Sequence, residues 1–351
     1  MNVNSSFWQG KKVFITGHTG FKGSWISLWL TSMNAKIYGY SLEPPTSINF
    51  FEEAKINEDM ESHTGDIRNF ELLKDKIKSF NPDVLIHMAA QPLVRLSYKE
   101  PIETYSTNVM GTVNVLEASR LAKNIRAIVN VTSDKCYDNK EWEWGYREDE
   151  PMGGFDPYSN SKGCAELVTS AYRKSFFLDS SINLASARSG NVIGGGDWAE
   201  DRLVPDALKA FESNKKLIIR NPLATRPWQH VLEPLSGYLK LAESLYEGKQ
   251  KYSEGWNFGP NDSDNKNVEW IVGAISKEWG GSPNWEIDKS EQPHEANFLK
   301  LDISKAVNRL KWKPTWNIKK SISKTVKWHK LWLDKKDIKD ESINQIKEFN
   351  S

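Results

Sequence analysis

Lys12-Val13-Phe14-Ile15-Thr16-Gly17-His18-Thr19-Gly20-Phe21-Lys22-Gly23 is the stretch that decides the fold. Its first five residues form a short apolar run of strand character, and from Phe21 to Met33 large apolar residues recur at helical spacing. Between the two stands a glycine turn. Glycines there let the backbone approach a pyrophosphate, whose charge is met by the free N–H groups at a helix start. The spacing G-x-x-G-x-x-G is one residue wider than the common dinucleotide fingerprint, so the turn's place between strand and helix carries the reading. Gly17, Thr19, Gly20, Phe21, Lys22 and Gly23 are the candidate residues for the phosphate end of a dinucleotide.

Working outward, strands are expected at Ile37 to Tyr40, Val84 to His87, Ile128 to Thr132 and Ile182 to Ala187, with helices near 69–80, 98–123 and 157–178. Strand and helix alternating in this order give an α/β fold, a doubly wound, mostly parallel Rossmann sheet covered by helices on both faces. After Arg188 the texture changes to Gly190, Gly194, Gly195 and Gly196 followed by shorter elements, which suits a smaller mixed α/β C-terminal domain for a substrate. The expected division is 11–188 for the cofactor domain and 189–335 mainly for the substrate domain, with segments returning to the sheet. Residues 336–351 follow as a polar tail, in which the run Lys335 to Lys339 reads as solvated.

Size and charge narrow the function. A chain of 351 residues has room for two domains. Its 47 basic and 46 acidic side chains leave a formal charge of +1, so no global field recruits nucleic acid. No stretch reaches the length of apolar residues needed to span a membrane, and no basic, then apolar leader opens the chain. A cytoplasmic protein is the expectation. Cys136 and Cys164 read as free thiols, and His18, His87 and His294 are too dispersed for a zinc spacing, so no metal is expected. Most of the 15 tryptophans are expected in the core or at an interface.

The dinucleotide pattern calls for an acid at the end of the second strand to bind the ribose hydroxyls. Ser41 stands there instead, with Glu43 two residues on, a position equally suited to an exposed loop acid. Weak retention of the cofactor is therefore expected. No arginine stands at 40–44 to meet a 2′-phosphate, which favours NAD over NADP. Asp66 and Ile67 follow a third short strand and suit the adenine; Ala89 and Ala90, just past the fourth, are small enough to admit the cofactor's middle.

Chemistry is concentrated in two segments. Tyr158 and Lys162, four apart, share a helix face, so the ammonium favours the phenolate, while Thr132-Ser133-Asp134-Lys135 approaches from a strand end. Ser133, Tyr158 and Lys162 suffice for alcohol oxidation. Asp134 and Lys135 add an acid and an amine, whose alternative reading is a salt bridge that orders the loop. Arg226, in the stiff segment before Pro227-Trp228, is the leading cation for a pyrophosphate, with Arg220 supporting it or pairing locally. Gly194 to Arg202 offers glycines for close approach to a base and Asp197 as an acceptor for an amino group, unless its glycines serve turns alone.

Together these segments resemble the extended short-chain dehydrogenase/reductase family and, within it, the nucleotide-sugar 4,6-dehydratases. The matching pieces are Gly17 to Gly23, Gly65 to Arg68, His87 to Gln91, Asn108 with Gly111-Thr112, Val131 to Tyr137, Tyr158 to Lys162 and Arg226 to Trp228. They run through roughly 11–330. The resemblance implies Tyr158 and Lys162 as the catalytic pair, Ser133 as their hydroxyl partner and Asp134 as general acid. It further implies NAD held also by Gln91, Asn108 and Thr132, and a nucleotide sugar contacted by Gln91, Asn191, Gly195, Asp197, Arg202, Asn257 and His294. Lys135 replaces the glutamate of dTDP-glucose relatives, a mark of the branch that acts on CDP-glucose, and is the candidate base at C5. The implied reaction converts CDP-glucose to a 4-keto-6-deoxy sugar, toward 6-deoxy or 3,6-dideoxy sugars of surface polysaccharide. A nucleotide-sugar 4-epimerase, or a dehydratase of another nucleotide hexose, is the alternative. The family also implies a homodimer built on the helices near 98–123 and 157–178, with a tetramer open.

Overall fold

The computed structural model describes residues 3–248, 250–281, 285–288, 290 and 296–351. At its centre are seven strands: β1 (Lys12–Thr16), β2 (Lys36–Ser41), β3 (Glu61–Thr64), β4 (Val84–His87), β5 (Ala127–Val131), β6 (Asn183–Ser189) and β11 (Gly255–Phe258). All pair in parallel, in the order β11-β6-β5-β4-β1-β2-β3. Helices covering both faces bury β4, β5 and β6 completely; β4 and β5 accordingly read as mainly apolar runs, whereas β6 buries Asn183, Ser186, Arg188 and Ser189 interspersed with Leu184, Ala185 and Ala187. The order reverses between β1 and β4, and ligands bind at such a switch point, outside the carboxyl ends of the strands.

The helix that follows the glycine turn, α1 (Phe21–Ser32), is buried on nearly every side. Trp25 donates its indole N–H to the Gly195 carbonyl at 2.9 Å, and Trp29 meets Phe349 edge to face at 5.8 Å. Helices α2 (Phe70–Phe80), α3 (Val94–Lys99), α4 (Pro101–Tyr105), α5 (Gly111–Arg120) and α6 (Pro157–Tyr172) complete the first half. The helix expected over 98–123 is two pieces. It starts early, at Val94, and breaks at Glu100 because the residue before a proline is driven out of the helical region; a wide turn at 106–110 joins α4 to α5.

The second half supplies β7 (Val192–Ile193), β8 (Leu217–Ile219), β9 (Thr225–Pro227) and β10 (Gln229–His230), with helices α7 (Leu203–Glu212), α8 (Leu232–Tyr246), α9 (Val268–Trp279) and α10 (Ile318–Leu333). Its parts go two ways. β11 closes one edge of the central sheet and α8 packs on β5 and β6. In contrast α7, β8, α9 and α10 enclose a core of their own, including Leu208, Ile219, Ile271 and Ile322.

The polar tail is corrected to a docked helix. Lys335 to Asp337 are exposed, but α11 (Ile338–Asn350) follows, capped by the Asp337 carboxylate, and buries Ile338, Ser342, Ile346 and Phe349 along one face. Those positions recur at helical spacing among charged residues, and the charges masked the pattern.

Candidate active site

Thr16 closes β1 and organises the turn that follows. Its hydroxyl bonds His87 Nδ1 at 2.7 Å and accepts from the backbone N–H groups of Met88 and Ala89 at 3.1 and 3.2 Å. Gly17 takes a φ of +79° against Ala89, and a Cβ on Gly23 would collide with the Gly17 carbonyl; both sites exclude a side chain. Gly20 precedes α1 without a side-chain cap, leaving the first-turn N–H groups for an anion. This turn, with the half-open Ala89 and Ala90 beside it, fits a dinucleotide. Ser41 lies within reach as well, its hydroxyl 2.9 Å from Thr19. Glu43 accepts from Thr64 at 2.8 Å as a loop acid. Asp66 is paired with Arg68, which holds its carboxyl below the usual range, and Ile67 packs against Gly111.

The catalytic end forms where β5 stops. Ser133 is extended and caps the short turn Asp134–Cys136, its hydroxyl accepting from the Lys135 N–H at 3.2 Å and donating to Asp134 Oδ1 at 3.0 Å. Opposite, the Asp156 carboxylate accepts from the Ser159 N–H at 2.9 Å and Pro157 occupies the first helical position, so α6 starts with Tyr158 in its first turn. Thr132, Ser133, Asp134, Lys135 and Tyr158 line one cavity of about 310 Å³. Lys162, one turn on from Tyr158, is buried behind it.

Burial dominates the electrostatics. It pushes the Tyr158 phenol up to about 12, opposed by a hydrogen bond with Ser133 and by the Arg202 charge. The side chains alone thus leave the phenol well above neutrality. Burial lowers Lys162 to about 8, against the pull of Glu166. It raises the Asp134 carboxyl, although Lys135, Ser133 and Arg226 favour the anion, and Asp134 Oδ2 has no hydrogen-bond partner among the described residues. A carboxyl so placed is suited to hold a proton.

Sequence reasoning missed the network behind this surface. Glu166 continues the stripe of Tyr158 and Lys162 along α6. Its carboxylate accepts from the Thr132 hydroxyl, from Ser186 at 2.6 Å and from Arg188 at 2.8 Å. Arg188 also donates to the Tyr137 hydroxyl at 2.7 Å. The recurrence of Glu166 at the helical period was the signal available. Lys22 is the other surprise: assigned to the phosphate turn, it carries its amine to 3.5 Å from the Ser189 hydroxyl. Burial, with Lys162 and Arg202 adding and Asp134 opposing, lowers it to about 7.

Several residues expected at the ligand have partners within the protein. Gln91 turns its amide into the loop, to Leu93 O at 3.1 Å and Thr104 at 2.9 Å. Asn108 holds that same loop through the Gln91 N–H at 2.9 Å and reaches Ser161 at 2.9 Å. Asn257, fully buried, spends its side chain on Tyr137, Tyr146 O and Asp302 O, because β11 must be tied to the loops beside it. Gly195 presses against the Trp328 ring, outside the cavity lining. His294 lies outside the described residues.

Asn191, Asp197, Arg202, Arg220 and Arg226 do line the cavity. Asp197 accepts from Arg202 at 3.0 Å and from the Ala199 N–H at 3.2 Å. Arg220 and Arg95 both meet Asp201 Oδ1 at 3.1 Å. Arg226 is turned onto the carbonyls of Thr225 and Ala296, with its charge reaching Asp134. The cavity thus has an acid, amines and a phenol at one end and guanidinium groups toward the other, an arrangement able to hold a phosphate-bearing alcohol with its hydroxyls at Tyr158.

Comparison with known proteins follows the same line. The family model described as GDP-mannose 4,6 dehydratase matches residues 14–325. CDP-glucose 4,6-dehydratase of Salmonella typhimurium is 58% identical, over 99% of this chain and 99% of that protein. Human dTDP-D-glucose 4,6-dehydratase is 25% identical, over 91% of this chain and 90% of its own. Among solved structures, dTDP-glucose 4,6-dehydratase from Bacillus anthracis in complex with NAD superposes with a TM-score of 0.77 at 26% identity, covering 92% of this chain and 97% of that one.

Proposed function

From the premise that the chain belongs to the GDP-mannose 4,6 dehydratase family, we propose that it is an NAD-dependent nucleotide-sugar 4,6-dehydratase that converts CDP-glucose to CDP-4-dehydro-6-deoxy-D-glucose and water. The observation that carries the reading is Asp134 and Lys135 sharing one cavity with Ser133 and Tyr158. Oxidation at C4 needs the phenol and its lysine; only elimination of the C6 hydroxyl needs the added acid and amine. The substrate base rests on the high identity to the Salmonella enzyme.

In this mechanism Tyr158 removes the C4 hydroxyl proton, with Ser133 orienting the oxygen and Lys162 supplying positive charge. The Gly17–Gly23 turn, with Thr19, Ser41, Ala89 and Ala90, would hold NAD, which when bound would supply the hydride acceptor for C4, the hydride donor for C6 and a cationic ring that favours the phenolate. The C4 ketone acidifies C5–H. Lys135 removes that proton and Asp134 protonates the departing C6 hydroxyl, so water leaves; C5 is then reprotonated and no net redox change remains. Arg202 and Arg226 hold the pyrophosphate.

Incubation with CDP-glucose and NAD tests the assignment. The expected product is lighter by one water and absorbs in alkali as a 4-keto sugar. Conversion to CDP-galactose at unchanged mass would make the protein an epimerase. Within the same reading the enzyme works in the cytoplasm; no helix among the described residues is long and apolar enough to cross a membrane. A homodimer is part of it too. The outer faces of α4 and α6 leave Ile102 and Leu167 85% and 59% exposed, Met110 and Phe176 are exposed in the segments that follow, and apolar helix faces of this kind bury well against a second copy. Light scattering should give twice the chain mass, falling to one chain in Leu167→Glu.

A further inference from the structure

Asp206 is a cavity-lining acid that the chemistry above leaves unused. It follows Arg202 by four residues, and both side chains lie on one face at the start of α7. The charge of Arg202 is felt at Tyr158 and at Lys22, so that end of the face looks toward the catalytic groups. Asp206 stands about 6 Å farther along the helix, where the cavity wall passes to Ile219, Arg220 and Asn221. Its carboxyl is pushed up to about 6, chiefly by burial, with Asp201 adding and Arg220 opposing. It has no ion-pair or hydrogen-bond partner among the described residues. Half-buried and lining the cavity, the carboxyl is free to accept from a ligand's donor without first breaking a contact within the protein.

With the sugar at Tyr158 and the pyrophosphate at Arg202 and Arg226, the base of a nucleotide sugar falls at the Asp206 end. We propose that Asp206 selects the base, its carboxyl accepting a hydrogen bond from the exocyclic amino group of cytosine. This deepens, and rests on, the nucleotide-sugar reading of the cavity. Cytosine presents an amino donor where uracil and thymine present a carbonyl, so the same carboxyl oxygen that pairs with cytosine faces another acceptor in the competing bases. Rejection of this kind is strong because buried polar groups are left unpaired. Asp197, the acceptor favoured by sequence, is already engaged by Arg202 and the Ala199 N–H.

The test compares kcat/KM for CDP-glucose and UDP-glucose, and calorimetric Kd for CDP and UDP, in the wild type, Asp206→Asn and Asp206→Leu. The wild type should prefer the cytosine ligands. In Asp206→Leu the preference should fall at least about tenfold in both measures, with kcat for CDP-glucose at saturation within about threefold of wild type. Asp206→Asn, nearly isosteric and able to donate to a carbonyl, should gain affinity for UDP while its melting temperature stays close to wild type. An unchanged CDP-to-UDP ratio in both variants would overturn the proposal even with dehydration intact. If no nucleotide sugar lost water, the assigned activity would fail, and the ratio of Kd values would still decide the role of Asp206.

Discussion

The two ends of the cavity are built differently. At the catalytic end Ser133, Asp134, Tyr158 and Lys162 are each less than 9% exposed, and the strand end that carries Ser133 and Asp134 is tied to α6, which carries Tyr158 and Lys162, through Thr132, Glu166 and Arg188. At the nucleotide end Arg226 and Asp197 are buried, but Arg95, Arg202, Asp206 and Arg220 are half-open, and Arg95 and Arg220 share one oxygen of an exposed Asp201. The first is preorganised, so that little must move when charge develops at C4. The second is held by contacts of the kind worth about 0–1 kcal/mol, which an incoming ligand displaces at small cost. Rigidity is placed where bonds change and adaptability where the ligand enters.

Substitutions should reproduce that contrast. Tyr158→Phe and Lys162→Ala are expected to have the largest effect, lowering C4 oxidation by up to about 10⁴-fold, with no transient NADH absorbance in stopped flow. Asp134→Asn should still oxidise C4 and accumulate NADH while water loss slows by about 10²–10⁴-fold; water loss at the wild-type rate would remove Asp134 as the acid. Glu166→Gln strands the Arg188 charge in a buried site, a loss of about 3–5 kcal/mol by analogy with broken buried pairs, read as a lower denaturation midpoint. Arg220→Ala should be mildest. Its KM for CDP-glucose is expected to rise by about tenfold at most with kcat and stability nearly unchanged, and a collapse of kcat would break the distinction between the two ends.

That contrast also explains what the sequence disclosed. Strands β1, β4 and β5 announced themselves because strands buried on both faces are mainly apolar, and the Gly17–Gly23 turn because few residues other than glycine fit there. Tyr158, Lys162 and Ser133 stood out through spacing alone. Glu166 and Arg188 did not, because a buried ion pair looks in sequence like any two charges until the fold brings a helix beside a strand. Asn108, Gln91 and Asn257 fell in segments matching a family pattern, yet their amides hold loops together, a role that a motif match does not separate from ligand contact. Asp206 belongs to no motif, since its significance comes from what α7 makes it face. The docked α11 was hidden by the charges that solvate its other side.

Isotope transfer tests the central claim most directly. CDP-glucose carrying deuterium at C4 is incubated with the protein and NAD in ordinary water, and the product is analysed by mass and by NMR at C6. An intramolecular redox dehydration predicts loss of one water with the deuterium now on C6. Deuterium lost to solvent, or returned to C4 at unchanged oxygen count, would contradict it.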